Sequence, residues 1–409
     1  MTTSHVQTLN FKRHVPLGLA ACAITLFSQP TFATEPAVLT DDDIQVTLRY
    51  RIEHVDQDNV LENALASTLR TRVTATKYLR ARWSALLEVD HVELIGNDNY
   101  NSTANAKVNY SVVADPRGTD INQAALRFKD ENNGTEISLG RFRMNHLNQR
   151  FIGGVGWRQN EQTYDGARVQ QQIGEELSLD VAAIHNVNRI FGPKGPQANQ
   201  RGNFYSAVLN WQINDQQRLN IFNYDFDFQD WHAQSSRTYG ADYHLNIPLA
   251  EHAPLALQVT VARQNDAHTN PQMYQHHYHR LSAQWRYNNK NVEFGTERLS
   301  GNGSTAFQTP FATLHAFQGF TDLFLTTPND GVRDHFAKIA FPLVSAHITV
   351  SYHYFESDFN RRTYGKEWNI AATQTMSNGI SLLFKFADYQ AKTFAVDTRK
   401  AWFMLSYRL

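Results

Sequence analysis

From Ala401 to Leu409 the chain places Ala401, Phe403, Leu405, Tyr407 and Leu409 at every second position, with Trp402, Met404, Ser406 and Arg408 between them. Residues at that period share one face of a β-strand. A soluble sheet seldom ends on a wholly apolar face, because an unpaired edge beside it invites association. A closed barrel in a bilayer removes the edge and gives that face to lipid. The same period recurs upstream. Ile44, Val46, Leu48, Tyr50 and Ile52 alternate with polar residues, as do Ala81, Trp83, Ala85, Leu87 and Val89. Leu281, Ala283, Trp285 and Tyr287, then Ala346, Ile348, Val350, Tyr352 and Tyr354, then Ile380, Leu382, Phe384 and Phe386 repeat it. Such runs are about long enough to cross a bilayer at a tilt.

The N-terminal residues point to secretion. Lys12, Arg13 and His14 precede an apolar run from Val15 to Phe27, and Thr31-Phe32-Ala33 forms a small-x-small cleavage site. Cleavage is expected after Ala33, which makes 1–33 a signal peptide and 34–409 one barrel domain. Leu19-Ala20-Ala21-Cys22 has the form of a lipoprotein box, but its apolar core would be only Val15 to Leu19. Cys22 is the single cysteine, so the mature chain has no disulfide and no cysteine metal site. No later run of eighteen apolar residues predicts a transmembrane helix. The negative mean hydropathy fits a wall in which only alternate residues meet lipid. Aromatic residues at 12% argue against disorder, and a net charge of −1 without a basic tail gives no reason to expect a nucleic-acid partner.

The alternation predicts an all-β fold: a transmembrane antiparallel up-and-down β-barrel of about eighteen strands, with sixteen as the alternative. Short periplasmic turns are expected near residues 77–79, 130–134, 171–176, 213–216, 246–254, 288–291, 342–345 and 377–379, which are mostly rich in Asn, Asp, Gly and Pro. Longer extracellular loops are expected at 91–120, 142–163, 189–201 and 299–331. Alternation is imperfect at 135–141 and 219–228. A soluble all-β repeat protein would account for alternation, but not for the secretion signal together with the short/long rhythm. The terminal strand resembles the signal read by the barrel-insertion machinery, a signal that more often ends in Phe. The outer-membrane bilayer and that machinery are the expected partners, and the outer membrane the expected location.

On the predicted lumen face lie Arg49, Arg51, Arg70, Arg72, Arg80, Arg82, Arg127, Arg168, Arg280 and Arg286, with Lys385. Guanidinium forks bind carboxylates bidentately, and a row of them would favour acidic solutes in a narrow channel. Charged walls also need partners, and Glu53, Glu88, Asp90, Glu293, Glu297 and Glu367 would supply several. Two long loops hold Phe151, Ile152, Trp157, Phe311, Leu314, Phe317 and Phe320, which a solvated loop would not keep exposed. Folded inward, they would bring Arg141, Arg143, Arg150, Arg158 and His315 to a constriction; a packed lid without a solute role is the alternative. His276, His277 and His279 invite a metal reading, but a third ligand on the face of His277 and His279 is missing. No nucleophile elbow, HExxH or phosphate loop appears, so neither a catalytic site nor a cofactor is expected.

Gly140–Arg143 and Val155–Asp165 (Val-Gly-Trp-Arg-Gln-Asn-Glu-Gln-Thr-Tyr-Asp), followed by Phe307–Asp322 (Phe-Gln-Thr-Pro-Phe-Ala-Thr-Leu-His-Ala-Phe-Gln-Gly-Phe-Thr-Asp), resemble the alginate-export family of outer-membrane porins. That resemblance implies a monomeric eighteen-stranded barrel with an arginine-rich pore for an anionic uronate polymer. The dedicated exporter also has a sizeable periplasmic loop, whereas the longest turn expected here, Asn246 to Pro254, is nine residues. Uptake of acidic or neutral oligosaccharides therefore stands beside polymer export. A channel for acidic saccharides is the leading expectation, with a general porin or an adhesive barrel with an occluded pore as alternatives.

Overall fold

The computed structural model describes residues 43–80, 82–249 and 253–409; the expected signal peptide and Ala81 lie outside the described residues. The first strands are β1 (Asp43–Gln57), β2 (Ala64–Arg80), β3 (Trp83–Asn99), β4 (Gly118–Asp130), β5 (Thr135–Phe142) and β6 (Thr163–Ile173). They are followed by β7 (Leu177–Asn188), β8 (Asn199–Asn214), β9 (Gln217–Phe228), β10 (Ser236–Pro248), β11 (Pro254–Asp266) and β12 (Gln275–Tyr287). The last are β13 (Lys290–Leu299), β14 (Val332–Leu343), β15 (Ala346–Glu356), β16 (Thr363–Thr375), β17 (Ser381–Ala391) and β18 (Thr398–Arg408). Each strand pairs antiparallel with its chain neighbours, and β18 returns to β1, closing an eighteen-stranded wall.

The seam shows why this register is chosen. Leu48, Tyr50 and Ile52 stand opposite Tyr407, Leu405 and Phe403, while Arg49, Arg51 and Glu53 stand opposite Ser406, Met404 and Trp402. A slip of one residue would turn the second set, which is buried inside, out toward lipid. The same division holds around the wall. Leu87, Leu139, Ile221, Leu281, Phe294 and Phe384 are exposed on the outside, forming an apolar band that only a bilayer can cover.

The rhythm of short and long connections is as expected, with three shifts. β2 continues through residues 77–79 to Arg80, and β3 begins at Trp83; a register break between Tyr78 and Arg80 had disturbed the alternation there. β3 continues through His91 to Asn99, so that loop spans 100–117 rather than 91–120; another break, between Ala66 and Thr68, accompanies this polar upper segment. At the longest expected turn β10 runs on to Pro248 and β11 begins at Pro254.

The imperfect alternation of β9 has a physical cause. Its inward residues Phe222, Tyr224, Phe226 and Phe228 are buried, whereas the outward positions toward its upper end are Asn223, Asp225 and Asp227. Those inward rings meet loop side chains inside the barrel rather than water. Phe311 lies within 5.3 Å of Phe204 and Phe226, edge-on, and of Phe228, tilted, and Phe151 lies 4.9 Å from Phe222. Burying each such ring contributes roughly 1.5–3 kcal/mol. The hydrophobic core of this protein is thus in its lumen.

Candidate functional site: a roofed basic vestibule

The β5–β6 loop (residues 143–162) and the β13–β14 loop (residues 300–331) enter the lumen, and Asp115 of the β3–β4 loop joins them by accepting from the Gln159 N–H at 2.9 Å. The first two loops are joined to each other: the Gly153 N–H donates to the Phe311 carbonyl at 2.9 Å, and the Thr313 N–H donates to the Gln149 carbonyl at 3.0 Å. The β13–β14 loop reaches the far wall through Gly319, whose φ of +82° and lack of a Cβ let the chain lie against Glu367. There Glu367 accepts from the N–H groups of Phe320 (2.5 Å) and Thr321 (3.1 Å). Glu367, expected to balance arginines, instead anchors a loop backbone.

The β5–β6 loop is held by the arginine wall of β1 and β2. Arg49 donates to the carbonyls of Gly156 (2.9 Å) and Arg158 (3.3 Å), Arg51 to that of Trp157 (2.5 Å) and Arg70 to that of Gln159 (3.4 Å). Four successive carbonyls are therefore bound by three strand arginines. Trp157 fills the space beyond: it stacks on His315 at 4.3 Å with the rings 5° apart, and Arg51 and Lys385 each lie 4.3 Å from its ring. His315 is the middle of a chain in which Lys385 Nζ donates to Nε2 at 2.7 Å and Nδ1 donates to Asp322 at 2.7 Å. Burial lowers His315 to about 3, against the pull of Asp322 and with the help of Lys385, so the ring is neutral.

Carboxylates balance much of the remaining charge. Arg72 forks onto Asp90 at 2.6 Å through both arms and reaches Glu161 at 2.8 Å; Arg143 joins the same Glu161 and also Glu88. Burial opposes the charge of Glu161, but Arg143, Arg72 and Arg70 hold its pKa well below the carboxylate range. Arg158 bridges Glu53 (3.0 Å) and Asp322 (3.3 Å), and these partners with Asp115 raise it despite burial. Arg150 is buried on Glu297 at 2.8 Å and over Phe317.

Beneath this roof lies a cavity of about 520 Å³ on the periplasmic side. Its fixed charges are Arg49, Arg70, Arg72, Arg127, Arg143, Arg280, Lys338 and Arg408, against Glu88, Glu161 and Glu293. Arg49, Arg70 and Arg127 each keep a buried Nε without a hydrogen-bond partner.

Of the residues singled out in the sequence, Arg49, Arg70, Arg72, Arg127, Arg143, Arg280 and His315 line this cavity. Arg51, Arg150, Arg158 and Lys385 are buried in the roof and its attachments. Arg168 is paired with Asp180 on the lumen wall, and Arg286 bonds Asn291 beside a periplasmic turn. Two expectations change. Arg82 is not on the lumen face: it sits in the turn just before Trp83, half exposed and paired with Asp130 at 2.7 Å, because β2 is longer than expected. Arg141 is not in the constriction: it belongs to β5, on the outward side with Leu139, and forks onto Asp165. The side chain of Arg80 lies outside the described residues. His277 and His279 face outward with their rings 6.3 Å apart, and among the described residues no group of three ligands surrounds them.

Sequence reasoning missed Asp115, Glu161 and Asp322, the loop carboxylates that receive the arginines. Their signal was weak: single acids in loops full of basic and aromatic residues.

The fold has close structural counterparts. OccAB4 of Acinetobacter baumannii superposes with a TM-score of 0.73 at 14% identity, over 91% of this chain and 99% of that one. OccK9 (OpdG) of Pseudomonas aeruginosa gives 0.71 at 13% identity, over 90% and 98%. OprD of Pseudomonas aeruginosa gives 0.66 at 14% identity, over 90% and 95%. The chain has their fold. It is, like them, a closed eighteen-stranded antiparallel barrel. No protein-family model and no curated protein matches the sequence.

Proposed function

We propose that this barrel is a passive, selective channel for small anionic solutes, with acidic saccharides of the uronate type as the preferred class. The observation that carries the reading is the charge of the vestibule: eight fixed cations line it against three carboxylates. In a narrow, partly dry space this excess concentrates anions at the mouth and along the wall. Three of those arginines also hold an unpartnered N–H. Release stays fast because the contacts are several and each is weak.

The roof favours short solutes over a polymer. Loops 143–162 and 300–331 are tied to each other and to opposite walls, so a uronate chain would pass only if both ties opened. Export of an alginate-type polymer, which the loop stretches suggested, is accordingly the second form of this reading, and an occluded adhesive barrel the third.

Planar-bilayer recording tests the proposal. Under a salt gradient the reversal potential should show anion preference, and oligo-uronate should block current more strongly than a neutral oligosaccharide of equal length. Arg70→Gln with Arg127→Gln removes two of the least compensated charges while leaving the Arg72–Asp90 fork in place. Anion preference should fall in that variant; an unchanged preference would make the arginines purely structural. Absence of single-channel steps would favour the occluded barrel.

A further inference from the structure

The outward face of the wall changes character toward the extracellular end of β11–β16. Below it the outward residues are apolar: Val259 and Val261 on β11, Leu281 and Trp285 on β12, Phe294 on β13, Ile339 on β14 and Ile370 on β16. Above them the register sets basic residues side by side. Arg263 stands opposite His277, His279 opposite Arg298, and Arg298 opposite Arg333. One step lower His335 stands opposite Tyr354, which stands opposite Lys366. This is the end of the long loops, since β12 descends from residues 267–274 to the tight turn at 288–289.

The acids nearby do not neutralise the row. Arg298 and Arg333 share one carboxylate, Asp358, at 2.6 and 2.7 Å from their Nε atoms. Glu356 is shared by Arg361 at 3.4 Å and His335 at 3.8 Å. Arg263 donates only to the amide oxygens of Asn265 and Gln275, and among the described residues neither Arg263 nor Lys366 has a carboxylate partner. Five fixed cations (Arg263, Arg298, Arg333, Arg361 and Lys366) therefore face two carboxylates. On the next strand Asp388 is matched by Arg399 at 2.9 Å and adds no net charge.

We propose that this upper outer face of β11–β16 is a docking surface for the phosphorylated headgroup of a lipid in the surrounding leaflet. The apolar band beneath receives the acyl chains, and the arginine row stands at headgroup height. Guanidinium groups bind phosphate through two parallel N–H donors, and a shared carboxylate leaves each arginine with donors to spare. The surface is separate from the lumen, so it holds whatever solute the channel passes.

The test uses the full barrel in phosphatidylcholine nanodiscs doped with diphosphorylated lipid A or with its dephosphorylated form. Lipid retained per barrel after detergent extraction is counted by native mass spectrometry. The phosphorylated lipid should be retained preferentially. Arg263→Gln with Lys366→Gln, which breaks no ion pair, should weaken retention by about fivefold per charge. Lys290→Gln at the opposite, periplasmic end should leave it unchanged. Equal retention of the two lipids, or no loss in the double variant, overturns the proposal. Retention abolished by millimolar inorganic phosphate would assign the patch to free anions and overturn the lipid assignment.

Discussion

Trp157 and His315 show how single side chains hold the roof in place. Trp157 has Arg51 and Lys385 over its ring, His315 stacked on it and Trp402 edge-on at 5.9 Å. Trp157→Ala should cost the docked loop about 3–5 kcal/mol. Limited proteolysis would then cut within 143–162 more readily, and single-channel current would become larger or noisier. His315 makes the roof sensitive to acid. Its ordinary pKa is 6.5, and burial lowers it to about 3. Between those values an undocked loop binds a proton that the docked loop refuses, so docking weakens as pH falls through that window and is insensitive above it. Glu161 and Asp322, both buried yet held down by neighbouring cations, act in the same direction only below the ordinary carboxylate range. Channel flicker recorded from about pH 7.5 to about pH 4 should rise. A flat profile would show that His315 does not report loop docking.

At the scale of elements, the two loops depend on each other, and the geometry allows that dependence to be tested. The Gly303 N–H already donates to the Asn329 carbonyl at 3.0 Å, so residues 304–328 can be excised without stretching the chain. The shortened barrel should conduct severalfold more current, because loop 143–162 loses its tie at Phe311. Unchanged conductance would mean the roof lies off the conduction path. Strand β9 shows what alternation can and cannot reveal. Its alternation reads as imperfect, and Phe222, Tyr224, Phe226 and Phe228 point inward because a loop from elsewhere supplies their cover. That cover is set by contacts far apart in sequence, so no local pattern could disclose it. The burial of Phe151, Trp157 and Phe311, by contrast, was legible, since no solvated loop keeps such residues in water.

For the whole molecule, the strand number, the closing pair and the lipid-facing sets were legible because a bilayer imposes one period on every strand. The candidate site was only half legible. Position along a strand told that Arg49, Arg51, Arg70 and Arg72 face inward, though it misplaced Arg82, and it did not tell that Arg49, Arg51 and Arg70 would bind loop carbonyls, nor that Arg72 would be claimed by Asp90. The vestibule charge carries a final consequence. With Arg72 matched by Asp90, seven cations still face three carboxylates, and the chamber does not stay electroneutral on its own groups. At rest it must hold inorganic anions drawn from the surrounding water, like the resin of an ion-exchange column. An acidic solute then enters by trading places with chloride, and its apparent affinity is set by the salt it has to displace.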